Sequence, residues 1–204
     1  MTGLRRFFRA ARYRQVIRNL AGPRLLRAFA DTYRHAFFVE IGSNDGEQHD
    51  HLRPFILSRP WRGIMVEPVP YVFERLRTNY EAYGRIALEN VAVGDADGLD
   101  TLLERSQASH VDLLLIDTEG HDWEILRSID FARWRPRLVI YEHYHLSPTA
   151  RAAAREQLGL VGYETMEEGF DTFCLDTSVD DALTDLWRSL SPAVEGVAAY
   201  EEAA

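Results

Sequence analysis

Apolar runs alternate with segments of helical periodicity from residue 36 to residue 176. Five runs are continuously apolar, as expected for strands buried on both faces of a sheet; they span 36–41, 63–68, 85–93, 111–117 and 137–143. Helical patterns lie between and after them, at 51–58, 71–83, 100–105, 122–129 and 148–159. Two further segments, 162–168 and 171–176, predict an antiparallel pair. This alternation predicts an α/β fold with a doubly wound, mostly parallel sheet.

Helical patterns also flank the alternation. Residues 4–20 and 24–34 predict two helices that are separated at Gly22-Pro23, and 180–190 predicts an amphipathic helix. The length of 204 residues suits one domain. We therefore expect a helical N-terminal extension (1–34), an α/β domain (35–177) and a C-terminal helix and tail (178–204).

The charge is unevenly distributed along the chain. Nine arginines and one acid give residues 1–34 a net charge of +8, and because the whole chain carries −9, residues 35–204 carry −17. An acidic body repels phosphates, so we do not expect nucleic acid as its partner. For residues 4–20 we favour an amphipathic helix packed on the acidic domain, with a basic arm that binds an acidic partner as the alternative.

Composition narrows the class of protein further. The one cysteine, Cys174, rules out an intrachain disulfide and a cysteine-based zinc site, and it suits a reducing compartment, so we expect a cytoplasmic location. No apolar run approaches the roughly 20 residues of a membrane helix. Self-association into a homo-oligomer is compatible with this composition.

Polar residues follow one predicted strand after another. They are Glu40 and Asn44, Glu67, Asn90, Asp117 and Glu119, and then Glu142, His143 and His145. Doubly wound sheets bind their ligands at the carboxyl ends of the strands. We therefore expect these side chains to form a site at one edge of the sheet.

The loop after the first strand has the pattern E-x-G-x-x-x-G, formed by Glu40, Gly42 and Gly46. A phosphate loop would combine its glycines with a lysine or follow G-x-G-x-x-G, whereas this loop has no lysine and carries Asp45 and Glu47. It suits a ligand with a cationic part, such as S-adenosylmethionine. The two glycines would let the backbone approach that ligand; a simple glycine turn is the alternative.

Glu67 strengthens this interpretation, because it ends the second predicted strand, 25 residues after Gly42. An acid in that place can accept hydrogen bonds from the two ribose hydroxyls of a nucleoside; the alternative is an acid that faces the N-terminus of the next helix. Asn90 and Val91, at the end of the third strand, are candidates for contacts with adenine. Turn chemistry explains Asn90 equally well.

The segments after the fourth and fifth strands carry the candidate reaction chemistry. Asp117 and Glu119 follow one strand, and Glu142 and His145 follow the other. Glu119, Glu142 and His145 are our candidates for the general base that takes a hydroxyl proton. The same residue types bind Mg²⁺, Mn²⁺ or Fe²⁺, and helix capping is a third interpretation. We assign no metal ligands, although His143 and His145 would share one face of a continuous strand.

The sequence resembles the FkbM-type methyltransferases, a family of class I S-adenosylmethionine-dependent O-methyltransferases. The matching segments occur in the family's order over about residues 36–176. They are "VEIGSNDG", "GIMVEPVPYVFERLRTNY", "ENVAVGD", "LDTLLE", "VDLLLIDTEGHDWEIL", "RPRLVIYEHYHLSP", "LGLVGYE" and "DTFCL". The word "IDTEG" followed by "YEH" is the most specific of these.

This resemblance implies a seven-strand Rossmann-like sheet and S-adenosylmethionine as the methyl donor. By position it implies that Glu40, Gly42, Asn44 and Gly46 line the methionine end, Glu67 the ribose, Asn90 with Val91 the adenine, and Asp117 and Glu119 the reaction centre. The acceptor would be a hydroxyl of a sugar, polyketide or related natural product, either a small molecule or a glycan. A metal-dependent hydrolase or lyase and a non-catalytic binding module are the alternative functions.

One departure from the family's pattern concerns the acceptor site. Such proteins usually carry a long covering segment between the "ENVAVGD" and "LDTLLE" words, and here only "ADG" separates them. The consequence is one of three: a neighbouring element covers the site, a large substrate docks on an open face, or catalysis is impaired.

Overall fold

A computed structural model describes residues 19–48, 50–94 and 98–191. The strands are β1 (Phe37–Ile41), β2 (Arg62–Val66), β3 (Ile86–Glu89), β4 (Leu113–Ile116), β5 (Leu138–Glu142), β6 (Tyr163–Glu168) and β7 (Asp171–Asp176). The helices are α1 (Ala21–Thr32), α2 (Arg53–Ser58), α3 (Pro70–Tyr80), α4 (Gly98–Arg105), α5 (Asp122–Ser128), α6 (Pro148–Leu160) and α7 (Ala182–Ser189). The helix predicted at 4–20 lies almost wholly outside the described residues.

The seven strands form one sheet in the order β3-β2-β1-β4-β5-β7-β6. Strands β1 to β5 pair in parallel, β7 runs antiparallel between β5 and β6, and the predicted closing pair is confirmed. The order reverses direction at β1, so the ends of β1 and β4 flank the place where such folds bind ligands. The predicted doubly wound, mostly parallel seven-strand sheet is confirmed.

Helices cover both faces of the sheet, as predicted. Side chains of α1, α2, α3 and α7 pack into one apolar layer, with Phe38, Met65 and Leu115 from the strands. Side chains of α4, α5 and α6 pack into the other, with Val39, Ile64 and Leu114. Neighbouring strand residues therefore point to opposite layers, and burial on both sides explains why the strands are continuously apolar.

The predicted helix break at Gly22-Pro23 is wrong, because both residues lie in the first turn of α1. The Glu168 carboxylate, at the end of β6, accepts hydrogen bonds from the backbone amides of Ala21 (3.0 Å) and Gly22 (2.7 Å). These amides are among those that a helix start leaves unpaired, and proline has no amide to satisfy there. A residue more than 140 positions away thus fixes the start of the helix.

The third strand is shorter than predicted, since β3 ends at Glu89 and the prediction ran to residue 93. Asn90 leaves the strand pattern because its side-chain amide donates to the backbone oxygens of Glu67 (2.8 Å) and Pro68 (3.1 Å). Val91 therefore follows the strand in the connection to α4. Within the part of the chain that the structure describes, no helix is long and apolar enough to cross a bilayer.

Candidate active site

The loop after β1 packs tightly against its neighbours. Gly42 has φ +88°, and a Cβ there would lie 1.8 Å from the backbone oxygen of Asp117. Gly46 has φ +67°, and a Cβ there would lie 2.4 Å from the ring of Tyr80. Packing inside the protein alone accounts for both glycines, as the simple-turn alternative expected.

The backbone amides of this loop, from Gly42 to Gln48, are all engaged within the protein. Gly42 and Ser43 donate to the backbone oxygen of Val66, and Asn44 donates to the Glu67 carboxylate. The next four amides donate to oxygens of Asn44, Ser43 and Asp45. A phosphate-binding loop presents free amides to its ligand, so this loop is not built for phosphate, in agreement with its acidic sequence.

Glu40 points from β1 into the apolar layer beneath the loop and is 3 % exposed. Burial, together with the nearby Asp50 carboxyl to which it hydrogen-bonds, raises the pKa of Glu40 well above its usual range. Two close acids cannot both ionise easily, and burial likewise raises the pKa of Asp50. One oxygen of Glu40, Oε2, has no hydrogen-bond partner among the described residues. Sequence reasoning missed Asp50, because no local pattern pairs it with Glu40.

Glu67 directly follows β2, the strand next to β1 in the sheet, and joins two loops. Its Oε2 accepts the amide of Asn44 (3.1 Å) and its Oε1 accepts the amide of Val69 (2.8 Å). Val69 is the N-cap of α3. Glu67 therefore faces the start of a helix, which was the alternative interpretation of this acid. A carboxylate oxygen has two lone pairs, which leaves each oxygen with one further acceptor position.

The connection between β4 and α5 is a tight loop that Asp122 holds. The fully buried Asp122 carboxylate accepts from the Thr118 hydroxyl (3.0 Å), the Thr118 amide (3.4 Å) and the Gly120 amide (3.2 Å). Inside this loop Glu119 adopts a left-handed conformation with φ +54°. The loop therefore fixes where Glu119 projects from the end of β4.

Three of the predicted reaction-centre residues meet at the carboxyl ends of β4 and β5. The Nδ1 atom of His145 lies 2.8 Å from Glu142 Oε2 and 3.0 Å from Glu119 Oε2. One ligand atom from each residue lies within 4.8 Å of the others. The sequence predicted that these residues share one edge of the sheet, but it showed no metal-ligand spacing, because the three ligands converge only through the turns after β4 and β5.

The carboxyls around this cluster resist ionisation. Burial is the main cause that raises the pKa of Asp117 to about 6, and Asp122 and Glu119 add to it. Burial also raises the pKa of Glu142 to about 7, although the hydrogen bond from His145 opposes that shift. The same hydrogen bond to Glu142 raises the pKa of His145. Several carboxyl groups therefore lie close together here, and His145 is the cationic group nearest to Glu142.

Two residues that the sequence analysis missed complete this edge. Asp171, the first residue of β7, stands opposite Glu142 in the antiparallel pairing, and burial together with Asp117 raises its pKa to about 7. His51, from the loop after β1, lies 3.6 Å from Asp171. We refer to Asp117, Glu119, Glu142, His145, His51 and Asp171 as the acidic edge. Only the sheet topology brings residues 51 and 171 to this place.

The expectation that His143 and His145 share one face is wrong. β5 ends at Glu142, so the alternation of a strand does not continue through His145. His143 is buried, and its Nδ1 lies 2.9 Å from the Thr172 hydroxyl. Of the two rings, therefore, His145 belongs to the acidic edge and His143 to the packing against β7.

The mouth of the site is open. The Glu119 side chain is 75 % exposed and the His145 side chain 41 % exposed. A cleft of about 540 Å³ lies beyond the end of β3, lined by Val91, Ala92, Val93, Gly94, Gly98, Thr101, Leu102 and Arg105. Helix α1 does not act as a cover, because it packs into the apolar layer with α7. Among the described residues no long segment covers the site, as the short connection after β3 predicted.

Comparison with known proteins agrees with this geometry. Residues 97–164 match the family model of the methyltransferase FkbM domain, which confirms the resemblance over a segment that includes Asp117, Glu119, Glu142 and His145. No curated protein matches the chain. The matched segment is less than half of the chain, and it begins after the glycine loop and Glu67.

Solved methyltransferase structures share the fold. The methyltransferase FkbM of Methylobacillus flagellatus KT has a TM-score of 0.55 at 15 % identity over 70 % of this chain, which spans only 44 % of that protein. The methyltransferase domain of METTL16 has a TM-score of 0.52 at 15 % identity, with 79 % of this chain and 65 % of that chain covered. The Methanococcus jannaschii fibrillarin pre-rRNA processing protein has a TM-score of 0.50 at 13 % identity, with 69 % and 65 % covered. The fold is that of the class I, Rossmann-like methyltransferases.

Proposed function

From this methyltransferase fold and the FkbM-type match over residues 97–164, we propose that the protein is an S-adenosylmethionine-dependent methyltransferase that transfers a methyl group to a hydroxyl. The observation that carries the proposal is the position of Glu67. It places a buried carboxylate with two remaining acceptor positions at the end of β2, beside the switch in strand order at β1, and next to a loop whose amides are already engaged. This arrangement suits ribose hydroxyls and does not suit phosphates.

The proposed seat of the cofactor crosses the ends of β1 and β2. The ribose hydroxyls donate to Glu67, and the adenine extends toward Val91 and the cleft beyond β3. The side-chain amide of Asn90 positions the loop that carries Glu67, since it is bound to the Glu67 and Pro68 backbone oxygens. The methionine end lies beside the loop 42–48, with Glu40 buried beneath that loop.

The acidic edge faces the methyl group in this arrangement. The sulfonium is cationic, so the carboxylates of Asp117 and Asp171 attract it. Methyl transfer neutralises the sulfonium, so catalysis requires chiefly that the methyl donor and the acceptor be aligned. Alignment lowers the reaction barrier by up to roughly 7–11 kcal/mol. The group of Glu119, Glu142 and His145 activates the acceptor hydroxyl. The open mouth admits a sugar, polyketide or larger acceptor, so the proposal places no covering segment over it.

Titration with S-adenosylmethionine tests the cofactor half of the proposal. Calorimetry on the full chain should show one binding site, and Glu67→Ala should weaken it about tenfold or more, because a hydrogen bond to a charged group contributes roughly 1.5–3 kcal/mol. Glu74→Ala is the control, because the Glu74 carboxylate pairs with Arg77 at 2.6 Å on the exposed surface of α3. No binding at millimolar cofactor would overturn the proposal, and an unchanged affinity in Glu67→Ala would remove Glu67 from the ribose role.

A further inference from the structure

At the carboxyl ends of β4 and β5, one imidazole nitrogen faces two carboxylate oxygens and can offer them a single proton. Each of the carboxylate oxygens, Glu119 Oε2 and Glu142 Oε2, lies within 3.0 Å of the same nitrogen, His145 Nδ1. That nitrogen carries at most one hydrogen, so it cannot satisfy both carboxylates with good geometry. The atoms converge on one point from three separate positions in the chain: the turn after β4, the last residue of β5 and the turn after β5.

The local charge also favours a cation over a proton. The group sets two carboxylates, Glu119 and Glu142, against a single imidazole, His145. Among the described residues, His145 is the ion-pair partner of both carboxylates. A divalent ion supplies the missing charge at the convergence point.

The matching pair on the opposite side of the sheet shows what is special here. His110 Nε2 lies 3.2 Å from Asp112 Oδ2, before β4, and among the described residues this ring pairs with that one carboxylate. The second oxygen ligand exists only at the acidic edge, where Asp122 holds Glu119 in its left-handed conformation. Two carboxylates and one imidazole form a donor set that suits Mn²⁺ and other first-row divalent ions.

We propose that Glu119, Glu142 and His145 form a binding site for a divalent cation, with Mn²⁺ as its best probe. Three protein ligands leave coordination positions open on the exposed side, where an acceptor oxygen can bind. This inference rests on the proposed function, because that function puts the methyl acceptor at the acidic edge. It specifies that the hydroxyl is activated through the ion, which lowers the pKa of the bound hydroxyl.

The proton of the ion-bound hydroxyl leaves to solvent through the open mouth. The resulting oxygen forms a bond to the methyl carbon, and the bond from that carbon to sulfur breaks with its electrons remaining on sulfur. The products are a methyl ether, S-adenosylhomocysteine and one proton, and the ion stays bound to the three side chains.

Mn²⁺ titration of the full chain without a histidine tag, followed by electron paramagnetic resonance, tests the site. We expect one bound ion per chain and a loss of affinity of about tenfold or more in Glu119→Gln, Glu142→Gln and His145→Ala. His110→Ala is the matched control and should leave the affinity unchanged. The Glu119 side chain is 75 % exposed, so Glu119→Gln should leave the fold intact, which keeps the test decisive if another variant is unstable.

The outcomes separate this inference from the proposed function. Absence of Mn²⁺ binding at millimolar ion, or binding that the three variants leave unchanged, overturns the cation site, whatever the result of the cofactor titration. Cation binding in a protein that fails to bind S-adenosylmethionine supports the site and overturns the methyltransferase proposal. Cation binding that the three variants weaken, in a protein that also binds the cofactor, supports both.

Discussion

Two groups of acidic side chains use the same residue types in opposite ways. At the acidic edge, burial raises the pKa of Glu142 to about 7 and that of Asp117 to about 6. On the outer side of the sheet, hydrogen bonds from Arg151 and Arg155 lower the pKa of Glu167 to about 2. We call Glu167 with its two arginines the Glu167 cluster; it joins β6 to α6.

The difference lies in the partners rather than in the acids. Each arginine of the Glu167 cluster donates to the carboxylate, with Arg151 at 2.7 and 2.5 Å, so the charged form of Glu167 is fully compensated inside the protein. At the acidic edge, the ion-pair partner of Glu142 among the described residues is a histidine, His145, and not an arginine. A carboxylate that the fold satisfies stabilises the fold, whereas a carboxylate that the fold leaves undercompensated is available to an external cation or an acceptor.

Glu142→Gln is expected to have the largest effect. The substitution keeps the shape of the side chain but removes the carboxylate that hydrogen-bonds to His145, so methyl transfer should fall about 10²- to 10⁴-fold, the usual range for a lost acid–base group. The melting temperature and the affinity for S-adenosylmethionine should remain those of the wild type. Turnover within twofold of wild type, measured by transfer of labelled methyl groups, would show that Glu142, like Glu167, has a structural and not a catalytic role.

Asp122→Ala should have an intermediate effect, on stability. Asp122 lies beside the acidic edge but is fully buried and accepts three hydrogen bonds from Thr118 and Gly120. Its removal leaves partly buried donors unpaired, which costs roughly 1 kcal/mol in the free energy of unfolding. Urea denaturation checks this value. A variant as stable as the wild type would show that the turn around Glu119 does not depend on Asp122.

Glu167→Gln should have the smallest effect and should depend on pH. Because the folded-state pKa of about 2 lies below the ordinary 4.5, the ion pairs contribute stability above about pH 4.5, and that contribution is lost as the pH falls toward 2. The partial exposure of the cluster limits the change at neutral pH to about 1 kcal/mol or less. The difference in urea midpoint between wild type and variant should therefore shrink from pH 6 to pH 3.

The control for this last variant is Glu74→Gln. Glu74 also pairs with an arginine, Arg77 at 2.6 Å, but on the exposed surface of α3. It should leave the urea midpoint unchanged at both pH values. A difference for Glu167→Gln that stays constant from pH 6 to pH 3 would contradict the lowered pKa and, with it, the contrast between the two groups.

Much of the fold could be predicted from local pattern. The strands are buried on both faces, so their sequences are continuously apolar. The helices between them bury one face, so their apolar residues recur with helical spacing. Local pattern failed where a distant residue decides the structure. Glu168 fixes the start of α1, and the Asn90 side chain holds the loop after β2 once β3 has ended.

The candidate site shows the same division. Asp117, Glu119 and Glu142 could be found because they directly follow apolar runs, and His145 because it lies three residues beyond Glu142. His51 and Asp171 could not, since the antiparallel β7 alone brings residue 171 beside β5. Sequence spacing also misplaced His143, because the end of β5 at Glu142 is set by tertiary packing and not by the residues themselves.

A crystal structure with bound S-adenosylhomocysteine tests the central claim most directly, because it shows whether the undercompensated acids face the transferred group. We predict that the ribose hydroxyls donate to Glu67 across the ends of β1 and β2 and that the sulfur points toward Glu119, Glu142 and His145. A ligand bound elsewhere, or one whose sulfur points away from these three side chains, would contradict the account.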